Sequence, residues 1–190
     1  MPFKSRIDRE LFNDCLYFKE QAEDLITDDP NKRVFEIRRA LRASFVSLWM
    51  MWEAWLNDEV QFSVEKVSQT ADVKAILRLP FDTKLDLFMI LSGIDIKGQK
   101  SLMKRVKKIQ SRRNSIMHVS WGSRSLIHAL TPAEIDSAIK TTKEFFAYLV
   151  GKGRYIPATF SFLNQERSVD LLTEGYGYLG KLPGERELIG

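Results

Sequence analysis

The sequence predicts an all-α protein, an up-and-down bundle of about five helices followed by an irregular C-terminal tail. Three observations carry this. Apolar residues recur at helical spacing through most of residues 1–150. Helix starts and stops punctuate the same region, among them Leu79-Pro80, Gly93, Thr131-Pro132 and Gly151. After Gly151 the period lapses, and that segment holds most of the ten glycines and two of the six prolines. The organisation expected is one helical domain, 1–150, with a tail, 151–190.

Each element has its own signal. Ser5 and Asp8 form a weak capping box, after which Ile7, Leu11, Cys15, Phe18, Ala22 and Leu25 recur at helical spacing up to Asp28-Asp29-Pro30-Asn31. The next helix is expected from about Lys32 to about Phe62. It is apolar nearly all round, through Leu41, Phe45, Leu48, Trp49, Met51, Trp52, Trp55 and Leu56. A helix without a polar face is usually central. Three of the four tryptophans lie on it, and their spacing suggests that one points outward onto another subunit.

Residues Ser63 to Leu79 suggest a helix broken near Ser68 to Ala71. Leu79-Pro80 interrupts the chain, and Asp82 is placed to cap a short helix ending at Gly93. A loop over Asp95 to Lys100 leads into a helix from Ser101 to Val119, closed by Trp121-Gly122-Ser123. Ser123 to Ala129 could form a short strand. Thr131-Pro132-Ala133-Glu134 starts the last helix with an N-cap, a proline at its first position and an acid at its third. Ile135, Ala138, Thr142, Phe145 and Leu149 are its buried stripe.

Composition narrows the function classes. The net charge of +4, from 29 Lys and Arg against 25 Asp and Glu, permits a nucleic-acid partner without demanding one. One cysteine, Cys15, excludes an intramolecular disulfide framework and fits a reducing cytosol. Two histidines and one cysteine make a zinc site of Cys and His an unsuitable reading, and no metal or cofactor is expected. MPFKSRIDRE lacks the apolar core of a signal peptide. The longest apolar stretch, Phe45 to Leu56, is interrupted by Ser47 and Glu53, whereas a membrane span needs roughly 20 residues. The expectation is a cytoplasmic protein without a membrane partner.

The most specific chemistry lies in Arg113-Asn114-Ser115-Ile116-Met117-His118. An always-charged guanidinium and an imidazole that titrates near neutrality can together bind a phosphate and move a proton. On a helical wheel Leu102, Val106, Ile109, Ile116 and Ser120 share one stripe, and Arg113 falls inside it. An arginine there is either paired with a carboxylate, Glu53 or Asp86, or set at the rim of a cleft. Asn114 and His118 share another face, near Met103, Gln110 and Trp121. Arg113 and His118 lie about 140° apart on an ideal helix. His118 at a helix end would also be electrostatically favourable without any catalysis.

Arg-Asn-x-x-x-His late on an apolar helix of a small all-α protein resembles the Arg-x(4–6)-His motif of HEPN domains (higher eukaryotes and prokaryotes nucleotide-binding). The resemblance covers roughly residues 35–150. RASFVSLWMMWEAWLNDEV resembles the family's first long helix, with Glu53 amid apolar residues. LPFDTKLDLFMILSGI precedes the motif helix at the family's usual spacing, and Thr131 to Leu149 would be the closing helix. One departure is that Val119-Ser120-Trp121 separate His118 from Gly122, where many members have glycine directly after the histidine.

The resemblance implies a metal-independent endoribonuclease, acting as a homodimer with a composite site. In it Arg113 would hold the scissile phosphate, His118 would serve as general base or acid, and Asn114 would orient the histidine or a phosphate oxygen. Family members often serve as toxins, which would bring an antitoxin partner, or as abortive-infection effectors against phage. Others only bind RNA, nucleotide or protein. Lys104, Lys108 and Arg112 lie on one flank of the motif helix, a track suited to an RNA backbone. Arg33, Arg38, Arg39 and Arg42 are read equally as a solvated face. Glu53 is either a surface residue or a carboxylate supporting Arg113 or His118. His128 reads as structural.

Overall fold

The computed structural model describes residues 7–28, 33–68, 70–95, 97–117 and 130–169. The chain forms α1 (Ile7–Asp28), α2 (Val34–Val67), α3 (Val73–Leu77), α4 (Phe81–Ser92), α5 (Lys100–Met117) and α6 (Pro132–Gly151). Short 3-10 turns lie at Lys97–Gln99 and Pro157–Asn164. The architecture is all-α and up-and-down, and the described residues contain no strand. The proposed strand over Ser123 to Ala129 and the helix stop at Trp121-Gly122-Ser123 lie outside the described residues, as do Ser5, Asp29, Pro30 and Asn31. Among the described residues no helix is long and apolar enough to cross a membrane.

Helix α2 is the axis of the bundle. Its 34 residues make a rod about 50 Å long, and every other α-helix packs against it. Trp49, Trp52 and Trp55 are all buried, so none is left outward for another subunit. The outward tryptophan expected from their spacing is corrected by α4, α5 and α6 enclosing α2 from several sides. Trp52 meets Phe81, Phe145 and Phe146, and its Nε1 donates to Thr142 Oγ1 at 2.9 Å. That bond satisfies a polar atom with no access to water. Helix α2 also runs to Val67, beyond the expected Phe62, and breaks before α3 where Ser68 to Ala71 predicts.

The buried seam of α1 is Phe12, Cys15, Leu16 and Ala22. It is rotated slightly from the expected one, since Ile7 is half-exposed and Phe12 takes the central place against Phe162. Ser44 on α2 donates to the carbonyl of Cys15 at 2.7 Å.

The helix ends follow local chemistry. Thr131 and Glu134 form a reciprocal capping box at the start of α6, with Pro132 in the first turn. Helix α4 stops at Gly93, whose φ of 68° suits a residue without Cβ. Its start differs from expectation: Pro80 occupies the N-cap, and no side chain caps the helix. Asp82 faces α5 instead, accepting from the Gln110 amide at 2.8 Å in the orientation that satisfies both groups.

From Lys152 to Val169 the chain is not α-helical, in keeping with its composition, yet it is built into the bundle. Phe160, Phe162 and Leu163 are buried in the core. Asn13 pairs with both backbone groups of Val169, and Glu20 accepts from the backbone and the hydroxyl of Ser168. The sequence shows no period here because aromatic residues on an irregular turn need none to reach a core.

Candidate functional site

Helix α5 carries Lys100, Lys104, Arg105, Lys107, Lys108, Arg112 and Arg113, and no Asp or Glu. Its apolar seam is the expected one: Leu102, Val106, Ile109 and Ile116 are buried. Ser120, the last member of that seam, lies outside the described residues. So do His118, His128 and Trp121, and therefore the geometry of Arg113 relative to His118.

Arg113 is half-buried in the seam, at the C-terminal end of α5. Neither Glu53 nor Asp86 pairs with it. Its guanidinium carbon lies over the ring of Trp49, 5.9 Å from the centroid. Its Nη1 donates to Asn114 Oδ1 at 3.0 Å. A guanidinium is weakly hydrated and planar, and stacks well on an indole. The aromatic face and the amide fix the side chain without neutralising it. Asn114 is exposed, and with its carbonyl oxygen occupied its amide N–H groups remain to donate.

The other cations of α5 divide into two groups. Arg105 pairs with Glu144, and Arg112 with Glu134 at 3.2 Å, so both tie α5 to α6. Lys100, Lys104, Lys107 and Lys108 are exposed, and among the described residues none is bonded to an acid. Of the expected track, Lys104 and Lys108 thus present free ammonium groups, while Arg112 presents a guanidinium already shared with a carboxylate. Between α5 and α6 lies a cleft of about 190 Å³, floored by Phe45, Ile109 and Ala138 and rimmed by Arg105, Lys108, Arg112 and Glu134.

Glu53 belongs to a different arrangement. Lys84 is almost fully buried on α4, and its Nζ donates to Glu53 Oε2 at 3.0 Å, to Asn57 Oδ1 at 2.6 Å and to the Leu77 carbonyl at 3.4 Å. A buried ammonium needs that set of acceptors. The wheel of α4 carries the missed signal, since Lys84 shares a face with Phe81, Leu85 and Phe88 and so requires an acid on α2.

The remaining reactive group is inert. Burial pushes the Cys15 thiol from 9.0 up to about 12, so at neutral pH it is a protonated core side chain rather than a nucleophile.

The fold and this site define an all-α, up-and-down bundle with one uniformly basic helix. Its half-buried arginine is held by an aromatic ring rather than by an acid. No protein-family model, curated protein or solved structure matches the chain.

Proposed function

We propose that the protein is a metal-independent endoribonuclease of the HEPN type, working as a homodimer in the cytoplasm, with a toxin or phage-defence role. An antitoxin is the protein partner that a toxin role would bring. The observation that carries this reading is Arg113, a half-buried arginine with a fixed side chain and no acid partner among the described residues, on a helix that bears only basic charges. A cation so placed has its charge available to a phosphodiester.

In the proposed reaction the RNA 2′-hydroxyl attacks the adjacent phosphorus and gives its proton to His118. The P–O5′ bond breaks, and the 5′-oxygen leaves as a hydroxyl with a proton from water, while His118 returns its proton to water. The products are a 2′,3′-cyclic phosphate and a 5′-hydroxyl. Arg113 holds the phosphate and stabilises the charge that develops on it. Asn114 donates to a phosphate oxygen or orients His118. Lys104 and Lys108, with Arg112, carry the flanking backbone.

The test is RNA cleavage in EDTA by wild type and His118→Ala, with the product ends mapped. Cleavage leaving cyclic phosphate ends, lost by about 100-fold or more in His118→Ala, is the expected result. RNA binding without cleavage in both proteins, weakened when Lys104 and Lys108 are neutralised, would instead make the chain a non-catalytic binding module.

A further inference from the structure

Trp49 is a costly choice for its position. It lies on α2, 3 % exposed, with Phe81 packed on it at 4.5 Å between ring centroids. Its indole N–H has no hydrogen-bond partner, unlike that of Trp52, which bonds Thr142. An unsatisfied buried donor costs about 1–3 kcal/mol, and phenylalanine or leucine would avoid it. The rings around Trp55 are Phe88, Phe145 and Phe146, with no cation among them. The face of Trp49 meets the guanidinium of Arg113. Indole is the aromatic ring that attracts a cation most strongly.

A carboxylate would hold Arg113 equally well, as Glu134 holds Arg112 and Glu144 holds Arg105. It would also cancel the charge that an anion must meet. A ring quadrupole holds a cation and leaves its net charge intact. With Nη1 on Asn114 and its carbon over the Trp49 ring, the guanidinium is pre-organised.

We propose that Trp49 is a positioning residue for Arg113: its indole face holds the guanidinium ready for a phosphodiester without neutralising it. The proposal rests on reading Arg113 as the phosphate-binding cation. Asn114 is the second support, and Phe81 keeps the indole in place.

The test is a double-mutant cycle. Affinity for a 2′-O-methyl RNA oligonucleotide, which binds but cannot be cleaved, is measured for Trp49→Phe and Trp49→Leu, each with Arg113 present and with Arg113→Ala. With Arg113 present, the loss expected is about fivefold for Trp49→Leu and about twofold for Trp49→Phe. In the Arg113→Ala background neither substitution lowers affinity further. Equal losses in both backgrounds would overturn the proposal, because Trp49 would then support the bundle and not the arginine.

The side-chain Nε–Hε NMR signal of Arg113 in the free protein is the second measurement. It should carry a ring-current shift that Trp49→Phe reduces and Trp49→Leu removes. A signal that neither substitution moves overturns the positioning role, whether or not RNA binds. If no form binds the oligonucleotide, the ribonuclease reading fails, and the NMR signal alone decides whether Trp49 positions Arg113. Should Trp49→Leu not fold, Trp49→Phe carries both measurements.

Discussion

Two faces of the same helix treat arginine differently. Along its α6 side, α5 sets Arg105 and Arg112 against Glu144 and Glu134, and each guanidinium becomes a strut between helices. On the face turned to α2, Arg113 meets an indole and a neighbouring amide instead. The first arrangement uses the charge to join two elements. The second leaves the charge in place and fixes only the geometry. An arginine on this helix is therefore a candidate for chemistry according to what restrains it, not according to its exposure. Lys84 is the limiting case, a cation buried so deeply that Glu53, Asn57 and a backbone carbonyl are all engaged in holding it.

The sharpest way to break this comparison is to remove one arginine of each kind. Arg113→Ala should lower RNA cleavage by about 100-fold or more, as loss of a transition-state donor does. Arg112→Ala should lower it by less than about fivefold, the scale of one weak phosphate contact, while reducing stability. Single-turnover rates on one RNA, with thermal melts alongside, would show the contrast. Equal rate losses would end it.

The buried cation comes next. Lys84→Ala should cost about 3 kcal/mol in urea unfolding, because it leaves the partly buried Glu53 without its partner. Replacing the pair together, Lys84→Met with Glu53→Leu, should recover most of that loss. Lys108→Ala, which removes an exposed and unpaired ammonium, should leave the urea midpoint nearly unchanged.

Removing the acid beside a restrained arginine should sharpen the comparison from the other side. Glu134→Gln removes the acid on Arg112 while keeping a side chain that can complete the capping box with Thr131. Stability should fall by about 0.5–1 kcal/mol. Affinity for the uncleavable oligonucleotide should rise about threefold, and its salt dependence should steepen, as a negative charge is removed from beside the basic track. Anisotropy titrations at several salt concentrations would measure both. Unchanged affinity would mean that Arg112 lies off the RNA path.

An effect absent at neutral pH concerns a thiol shifted chiefly by burial. The Cys15 thiol titrates near 12 in the folded chain against 9.0 for an unperturbed thiol. Its protonated form is the one that folding favours, so this contribution to stability is complete below pH 9.0 and declines as pH rises toward 12. Unfolding free energies of wild type and Cys15→Ala should therefore converge over that range. Parallel curves would show that the thiol ionises without opening the core.

Much of the bundle was legible because local chemistry and periodicity decide it. The capping box at Thr131, the αL stop at Gly93, the break between Ser68 and Ala71 and the seam of α5 each depend on residues within a few positions of one another. Other features were not legible, because they depend on what arrives from elsewhere in the chain. The role of Asp82 required Gln110 to be placed opposite it, and the burial of all three tryptophans of α2 required α4, α5 and α6 to close around it. The segment Pro157–Asn164 carried no period, yet it sends Phe160 and Phe162 into the core because α1 and α6 leave room for them.

The candidate site divides along the same line. The sequence by itself determined that Arg113 sits in an apolar seam on a helix of basic residues, since spacing alone sets helix faces. Only the tertiary structure decided its partner. The sequence offered Glu53 or Asp86, and the packing of α4 gave Glu53 to Lys84 and left Trp49, which it had not offered, beneath Arg113. A one-dimensional pattern states which groups must find partners. Which partner each group finds is set by how the helices pack, because side-chain interactions act over only a few ångströms and the chain's order does not record which residues come that close.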